Sequence, residues 1–493
     1  MSGDKVRIQL EPSSAVLEVP SGAALASALP ELGVEFPCGG TGLCGACRVR
    51  VLEGSLPITQ PDRSVFSTQE LAVGWRLACQ AHAETSLLLE CGQWSMDVLT
   101  DNSSLAGAGK SDLGIAVDLG TTTIAAQMID LATGYVLGVE TALNPQASFG
   151  LDVMSRIRAA LQGSDLTTIV RLSLRQMITR LAGGRTEEIV EVILVGNTVM
   201  HHLFCGLNVE PISCAPFQSP HLDAQSFQPH ELDWPLPAAC AIRFERCLGG
   251  FVGSDILAGI LAAGISRGND LLALVDLGTN GEIAIGNCNG IVCASTAAGP
   301  AFEAGSIRMG MRASTGAISR VSFSNGEMHA TVIGDVEARG ICGSGLVDAV
   351  AAGLESGAIL PSGRIANGTK LFPIKAPVVL YQADIRELQL AKAAIASGFR
   401  LLLKRLGASA GSPKNIYLAG AFGNYVQAQS AIRIGLLEAP TECIHASGNT
   451  ALRGAKMLLL SADEPVLPKI EHVSLAADPG FQDEFAGSIA FPA

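Results

Sequence analysis

The sequence predicts an α/β protein in two unequal parts, a small strand-rich N-terminal unit and a larger unit built twice on one strand–turn–strand plan. Three observations predict it. Residues 5–91 hold short alternating strands (KVRIQL, AVLEVP, CRVRVLEG, SLLLEC). From Leu113 onward, apolar strands alternate with helical stretches. GIAVDLGTTTIAAQMIDLATG (114–134) and LALVDLGTNGEIAIGNCNG (272–290) share one arrangement, which suggests two similar subdomains facing a cleft. A chain of 493 residues is too long for one ordinary core. At 48% hydrophobic and 16% charged it can bury extensive cores, which argues against disorder. The net charge of −13 repels phosphodiester backbones, and 5% aromatics leave little for base stacking, so nucleic acid is a poor partner.

The elements follow in order. KVRIQL and AVLEVP read as a hairpin joined by Glu11-Pro12-Ser13-Ser14, and Ser21 is a plausible cap for the helical spacing that follows. A Gly- and Cys-rich loop spans 37–47. The Ser-, Gly- and Asn-rich segment around TDNSSLAGAGKSD reads as a flexible linker. The expected division is 1–94 for the first unit, 95–111 for the linker, and 112–270 and 271–493 for the two halves of the larger unit. No run approaches the roughly 20 apolar residues of a bilayer-spanning helix, and the start (MSGDKVRIQL) lacks a signal-peptide core, so a cytoplasmic protein without a membrane partner is expected.

Thirteen cysteines without an export signal do not suggest a disulfide scaffold. Four of them, Cys38, Cys44, Cys47 and Cys79, follow C-x5-C-x2-C-x31-C. Four thiolates suffice for a [2Fe–2S] cluster, whereas structural zinc usually takes two C-x2-4-C pairs. Gly39, Gly40, Gly42 and Gly45 suit a loop that turns tightly and aims N–H groups at sulfide. The pattern resembles the adrenodoxin-like variant of the plant-type ferredoxins, and RLACQ resembles the usual context of the fourth ligand.

Asp118-Leu119-Gly120-Thr121-Thr122-Thr123 joins two apolar strands, and Asp276-Leu277-Gly278-Thr279-Asn280-Gly281-Glu282 repeats the design. Such tips offer backbone N–H and hydroxyl groups to phosphate oxygens, and the preceding Asp suits Mg²⁺. Gly343-Ser344-Gly345 opens a helix and can meet phosphate or ribose. Gly420, Ala421 and Gly423 follow a strand and resemble the adenosine-side turn of the actin and sugar-kinase superfamily. VILVGN (192–197) resembles its connecting motif, with Gly196 allowing close packing. Asp255 and Glu282 are candidates to position a hydrolytic water, while His201 and His202 read as structural. Walker A and dinucleotide fingerprints are missing after the strands.

Together, C-x5-C-x2-C-x31-C, DLGTTT, VGNTVMHH, DLGTNGE, AAGPAFE, GMRA, GICGSGL and LAGAFGN, in that order, resemble the family of ATP-dependent reductive activators of corrinoid enzymes. The resemblance implies a β-grasp-like ferredoxin followed by an actin-like ATPase of two ribonuclease-H-like subdomains. It implies one-electron reduction of an inactive Co(II) corrinoid protein to Co(I) in a methyltransferase system, driven by ATP. A gap of about 150 mV would cost roughly 3.5 kcal/mol, within reach of a nucleotide-coupled two-state complex. By the resemblance, Cys38, Cys44, Cys47 and Cys79 hold the cluster. Asp118, Asp276 and Glu282 serve catalysis, and Gly120 to Thr123 with Gly278 to Gly281 hold Mg-ATP. It also implies an upstream low-potential donor and, by superfamily analogy, a homodimer. The competing readings are an ATP-coupled donor to another low-potential enzyme, a redox-sensing ATPase, and a sugar or acid kinase.

Overall fold

The computed structural model describes residues 5–11, 15–32, 34, 36, 40, 42, 47–91, 100–101, 103–107, 112–150, 152–278, 280–313, 316–366, 368–409, 411–461, 463 and 465–493. Cys38, Cys44 and Thr279, with much of the expected linker, lie outside these residues.

The N-terminal unit is one mixed sheet of β1 (Lys5–Glu11), β2 (Ala15–Pro20), β3 (Arg48–Glu53), β4 (Trp75–Leu77) and β5 (Leu87–Cys91). Its order is β2-β1-β5-β3-β4, with β1 and β5 parallel. This is the expected β-grasp arrangement. Ile8, Leu10, Val49 and Leu89 alternate inward and pack on Leu25, Leu29 and Leu77.

The larger unit holds two six-stranded sheets. The first uses β6 (Leu113–Leu119), β7 (Thr123–Asp130), β8 (Val136–Leu143), β9 (Ile189–Val195), β10 (Gln225–Phe227) and β11 (Ala241–Phe244), in the order β8-β7-β6-β9-β11-β10. The second uses β12 (Leu272–Leu277), β13 (Gly281–Asn287), β14 (Gly290–Thr296), β15 (Asn415–Ala419), β16 (Ile444–Ala446) and β17 (Ile470–His472), in the order β16-β15-β12-β13-β14-β17. The duplication visible in the sequence is therefore a duplication of topology. In each sheet the Asp-bearing strand pairs antiparallel with its hairpin partner on one side and parallel with a later strand on the other. Such strand ends, where the connections diverge, leave a crevice for ligands.

Two helices fill the space between the sheets, α3 (Ser254–Ala262) and α6 (Thr450–Leu460). Four others matter below: α1 (Leu166–Ala182), α2 (Thr198–Cys205), α4 (Gly343–Glu355) and α5 (Gln382–Arg405). Ala258 and Leu261 of α3 join Leu452, Ala455 and Leu459 of α6 against Ala116 and Ile193 of the first sheet. Ile256 and Ile260 of α3 face the other way, into Leu274 and Ala284 of the second sheet. Helix α6 thus lies on the first sheet although its residues fall in the stretch expected to form the second half, 271–493. The helices cross closely because glycines sit at the contact. A methyl group on Gly454 would strike the Ala258 carbonyl, and one on Gly259 would strike Leu274.

Part of the expected flexible linker is held in place. Lys456 of α6 is fully buried and ion-pairs with Asp101. The buried Gln127 of β7 donates to the Asp101 carbonyl at 2.7 Å. Residues 101 and 103–107 are therefore strapped to the first sheet and α6, because a buried ammonium needs an anionic partner. The described residues include no helix long and apolar enough to cross a membrane. An ion pair at 3.2 Å joins Glu90 of β5 to Arg339, next to the hairpin of Ala317–Ser324 and Glu327–Val332.

Gly454→Ala should separate α3 from α6 and cost about 1–3 kcal/mol of stability, as overpacking does. Thermal unfolding would show the lowered Tm. Gly487→Ala, where a methyl group would meet nothing, should leave it unchanged.

Candidate functional site

The first site is the cysteine region of the N-terminal unit. The Ala78 N–H donates to the Cys47 carbonyl at 3.0 Å, which brings the strand start at Cys47 beside the turn Ala78–Gln80 that bears Cys79. Cys47 is buried and Cys79 half-buried. Gly40 and Gly42 take φ of +82° and +76°, the left-handed region that Gly enters without steric cost. Gln80 donates to the Gly40 carbonyl at 2.6 Å, fastening the loop to the Cys79 turn. The buried Asp62 accepts from the Leu77 N–H at 2.7 Å and so fixes the approach to Cys79. Asp62 was not anticipated, since its role rests on a contact between separate elements. Two thiols on adjoining backbone beside a positive-φ Gly loop fit an iron–sulfur cluster. The expected partners Cys38 and Cys44 fall outside the described residues.

The second site is the crevice between the two sheets. Asp118 stands at the end of β6, opposite Val195 of the parallel strand β9, which runs on into Gly196-Asn197. Asp276 stands at the end of β12, opposite Ala419 of β15, which runs on into Gly420. Both Asp residues thus sit beside a strand that ends in Gly. Gly420, at φ +81°, has no room for a side chain, because one would meet the Asp276 carboxylate and the Leu277 carbonyl. Gly196 lies against the Leu119 carbonyl, and Gly253 against Gly196 and Asn197, which brings the start of α3 and Asp255 to Asp118.

The Asp118 hairpin tip is held rigidly. Asn144 donates from its side chain to the Gly120 carbonyl at 2.8 Å and from its backbone to the Thr122 carbonyl at 2.9 Å. Asn197, the N-cap of α2, donates to the Thr121 hydroxyl at 2.8 Å. The Thr121 O–H therefore remains a donor for an anionic ligand. Asn449, the N-cap of α6, donates to Asp118 Oδ2 at 2.8 Å. Asn144, Asn197 and Asn449 were not singled out in the sequence. The signal available was Asn before a helical or Pro-started turn, which reads as capping alone.

Other expected residues are placed as follows. Gly278 donates to the Asn280 carbonyl at 3.1 Å, closing the second tip, and its own Cβ position is nearly open. Gly281 is required by packing, since a side chain there would collide with Ile395 of α5. Gly343 and Gly345 bring the start of α4 against the carbonyls of Phe302 and Ile318, and Ser344 donates to the Ser319 carbonyl at 3.0 Å. Phe302 stacks on Phe422 with ring centres 4.9 Å apart, so the loops of Gly343, Phe302 and Gly420 to Gly423 converge. His201 and His202 are buried in α2, with His202 bonded to Ser219 and the Thr198 carbonyl, in line with a structural role.

The electrostatics single out four carboxylates. Asp276 and Glu282 are directly opposed across the β12–β13 pair, an arrangement that like charges resist. Burial, then the charges of Asp118 and Glu303, pushes Asp276 up to about 7. Burial raises Asp118 to about 6 against the opposing Asn449 hydrogen bond. Burial, with Asp276 and Asp118 next, raises Asp255 to about 8. Glu282 rises well above its ordinary range through burial, then Asp255 and Asp276, although it accepts from Ser295 at 3.0 Å. Among the described residues none of the four forms an ion pair with Lys or Arg. The cluster gathers acidic groups without a Lys or Arg partner among the described residues, a setting suited to a metal cation. No three Asp, Glu, His or Cys side chains among the described residues could hold a metal ion by themselves.

The cluster carries a pH signature. Its folded-state pKa values lie above the unfolded ones, so between about pH 4 and pH 8 the native state binds more protons. Its contribution is fully present at the acid end of that window and is lost as pH rises through the values near 6, 7 and 8. The ligand-free protein should therefore lose stability from this cluster between pH 5 and pH 8, seen as a Tm that falls with pH; a Tm rising across the window would contradict the assignment. Asp255→Asn should remove one repelling charge and raise Tm at pH 8.

A family model described as the 2Fe-2S iron-sulfur cluster binding domain matches residues 8–84. A model described as the RACo middle region matches 113–268, and one described as the C-terminal domain of RACo, the ASKHA domain, matches 270–493. The corrinoid activation enzyme RamQ of Eubacterium limosum is 36% identical over 417 residues, which span 77% of this chain and 70% of that protein. A Co(II) methylated amine-specific corrinoid protein reductase of Methanosarcina barkeri is 28% identical over 70% of each chain. A solved structure described as a reductive activator for corrinoid, iron-sulfur protein superposes with a TM-score of 0.68 at 26% identity, covering 99% of this chain and 98% of its own. Alike in fold along the whole length and in sequence over most of it, the chain belongs to the family of reductive activators of corrinoid proteins.

Proposed function

We propose that this protein reduces the inactive Co(II) state of a corrinoid protein to Co(I), one electron at a time, with ATP used in the two-sheet crevice. The observation that carries the reading is the pairing, in one chain, of the Cys47–Cys79 unit with a crevice that gathers Asp118, Asp255, Asp276 and Glu282, none of them ion-paired to Lys or Arg among the described residues. A bound [2Fe–2S] cluster supplies a low-potential one-electron reductant. Cys38, Cys44, Cys47 and Cys79 are the residues that would hold it.

In the crevice, Asp118 and Asp276 are the residues that would hold Mg²⁺, which would offset phosphate charge. Gly120 to Thr123 and Gly278 to Gly281, Thr279 included, would offer N–H and O–H groups to the phosphate oxygens. Gly343 to Gly345 and Gly420 to Gly423 would border the nucleoside, beside the Phe302–Phe422 stack. Glu282 and Asp255 have pKa values lifted toward neutrality or above, a property of carboxylates that take a proton from an attacking water. Cation binding favours their ionised forms, so nucleotide binding should release protons near neutral pH. An upstream low-potential donor, a homodimer and a cytoplasmic setting belong to the same reading.

The test is the purified protein with reductant, Mg-ATP and a Co(II) corrinoid protein, followed by visible absorbance. Co(I) should form only with ATP present. Cys79→Ala should abolish Co(I) formation and the two-iron EPR signal while leaving ATP hydrolysis intact. An intact cluster and a working ATPase that yield no Co(I) with several corrinoid proteins would favour a different acceptor.

A further inference from the structure

Lys456 is the observation the crevice chemistry leaves unused. It is fully buried near the middle of α6, a place where a lysine survives only when its charge is met. Its partners among the described residues come from the chain between the cluster unit and the first sheet. The ammonium pairs with Asp101 and donates to the Ser103 carbonyl at 2.7 Å and the Ser103 hydroxyl at 3.4 Å. Asp101 in turn accepts from the Ser103 N–H at 3.2 Å and its hydroxyl at 2.8 Å. Beyond that point the chain passes the turn after β7, with Gly107 pressed on the Ala132 carbonyl and Gly134 on the Leu105 carbonyl. Residues 101 and 103–107, next to the cluster unit in sequence, are therefore held at a buried, charged grip.

The same helix touches the crevice. Asn449 caps its N-terminus and donates to Asp118. Lys456 lies seven positions after Asn449, two turns and about 10 Å along the axis. Between them, Gly454 lies against α3, whose first turn bears Asp255. One short helix thus contacts two crevice carboxylates, directly and through α3, and grips the tether. The Glu90–Arg339 pair that joins the cluster unit to the second subdomain is partly exposed, and exposed pairs hold weakly. The firm point on the path between the two units is the grip on α6.

We propose that Lys456 and Asp101 are positioning residues for electron delivery: a nucleotide-dependent shift of α6 moves the anchor of the tether and so re-aims the cluster unit. The inference rests on the reading that the crevice binds a magnesium nucleotide. It assigns the coupling of ATP use to electron transfer to a buried ion pair outside both sites. By linkage, freeing the tether changes nucleotide affinity by the same factor that nucleotide changes tether binding.

The test uses the full chain, with and without a non-hydrolysable magnesium ATP analogue, and reads amide exchange across residues 100–107. In the native protein the analogue should change exchange there by about threefold or more, the scale of a local opening event. The double variant Asp101→Leu/Lys456→Met replaces the ion pair with apolar groups and should fold, as such replacements commonly do. In it the exchange response should vanish and ATP-dependent Co(I) formation should fall about tenfold, while ATP hydrolysis stays within about twofold. Asp101→Asn keeps an acceptor toward Ser103 but not the charge, and should weaken both signals in the same direction. A native protein that binds the analogue without any change at 100–107, or a double variant that makes Co(I) at the native rate, would overturn the proposal. Failure of the analogue to bind at all would remove the crevice reading along with it.

Discussion

The structure turns on four carboxylates that it gathers in one crevice, Glu282 buried and Asp118, Asp255 and Asp276 half-buried. Asp118, Asp255, Asp276 and Glu282 stand where two duplicated sheets and one helix start converge. Their mutual repulsion and desolvation are costs that folding alone does not recover. A protein retains such an arrangement when a ligand supplies the missing positive charge. The asparagines around it serve the same end. Asn144, Asn197 and Asn449 tie the first hairpin tip and Asp118 to neighbouring elements, so the donors for an anionic ligand are set before it arrives.

The packing between the sheets makes that charge cluster mechanically consequential. Helix α3 sends Ile256 and Ile260 into one core and Ala258 and Leu261 into another, so it belongs to both halves. Helix α6 crosses it at the Gly454–Ala258 contact. Well-packed interfaces of small residues move as units rather than deform. A change in the charge or spacing of the crevice is thereby passed to α6, and α6 holds the segment that leads to the cluster unit. A chain that carries an iron–sulfur unit and an ASKHA domain needs a physical link of this kind if one is to act on the other.

Much of this was legible in the chain. The repeated Asp-Leu-Gly-Thr hairpins announced the duplication because a strand–turn–strand unit has a local pattern. The C-x5-C-x2-C-x31-C spacing announced the cluster unit because thiolates at such intervals have few other uses. Asp255 was only a candidate, since an Asp in the first turn of a helix is ordinarily a solvated, dipole-favoured residue. Its placement beside Asp118 and Asp276 depends on Gly196 and Gly253 letting separate segments approach. Gly281, Gly343 and Gly345 looked like ligand-facing glycines, and packing against Ile395, Phe302 and Ile318 accounts for them as well.

The sequence by itself determined the fold class, the order of the units, the cysteine set and the paired hairpins, because each rests on residues close together or on a repeated local pattern. Tertiary structure alone decided which carboxylates meet in the crevice, the placement of α6 on the first sheet, and the holding of residues 101 and 103–107. The polar, Gly-rich composition of that segment spoke for a free linker. Lys456 is 355 positions further along than Asp101, and nothing local to either residue shows that each neutralises the other. Burial and long-range proximity decide such pairs, and both arise only when the chain is folded.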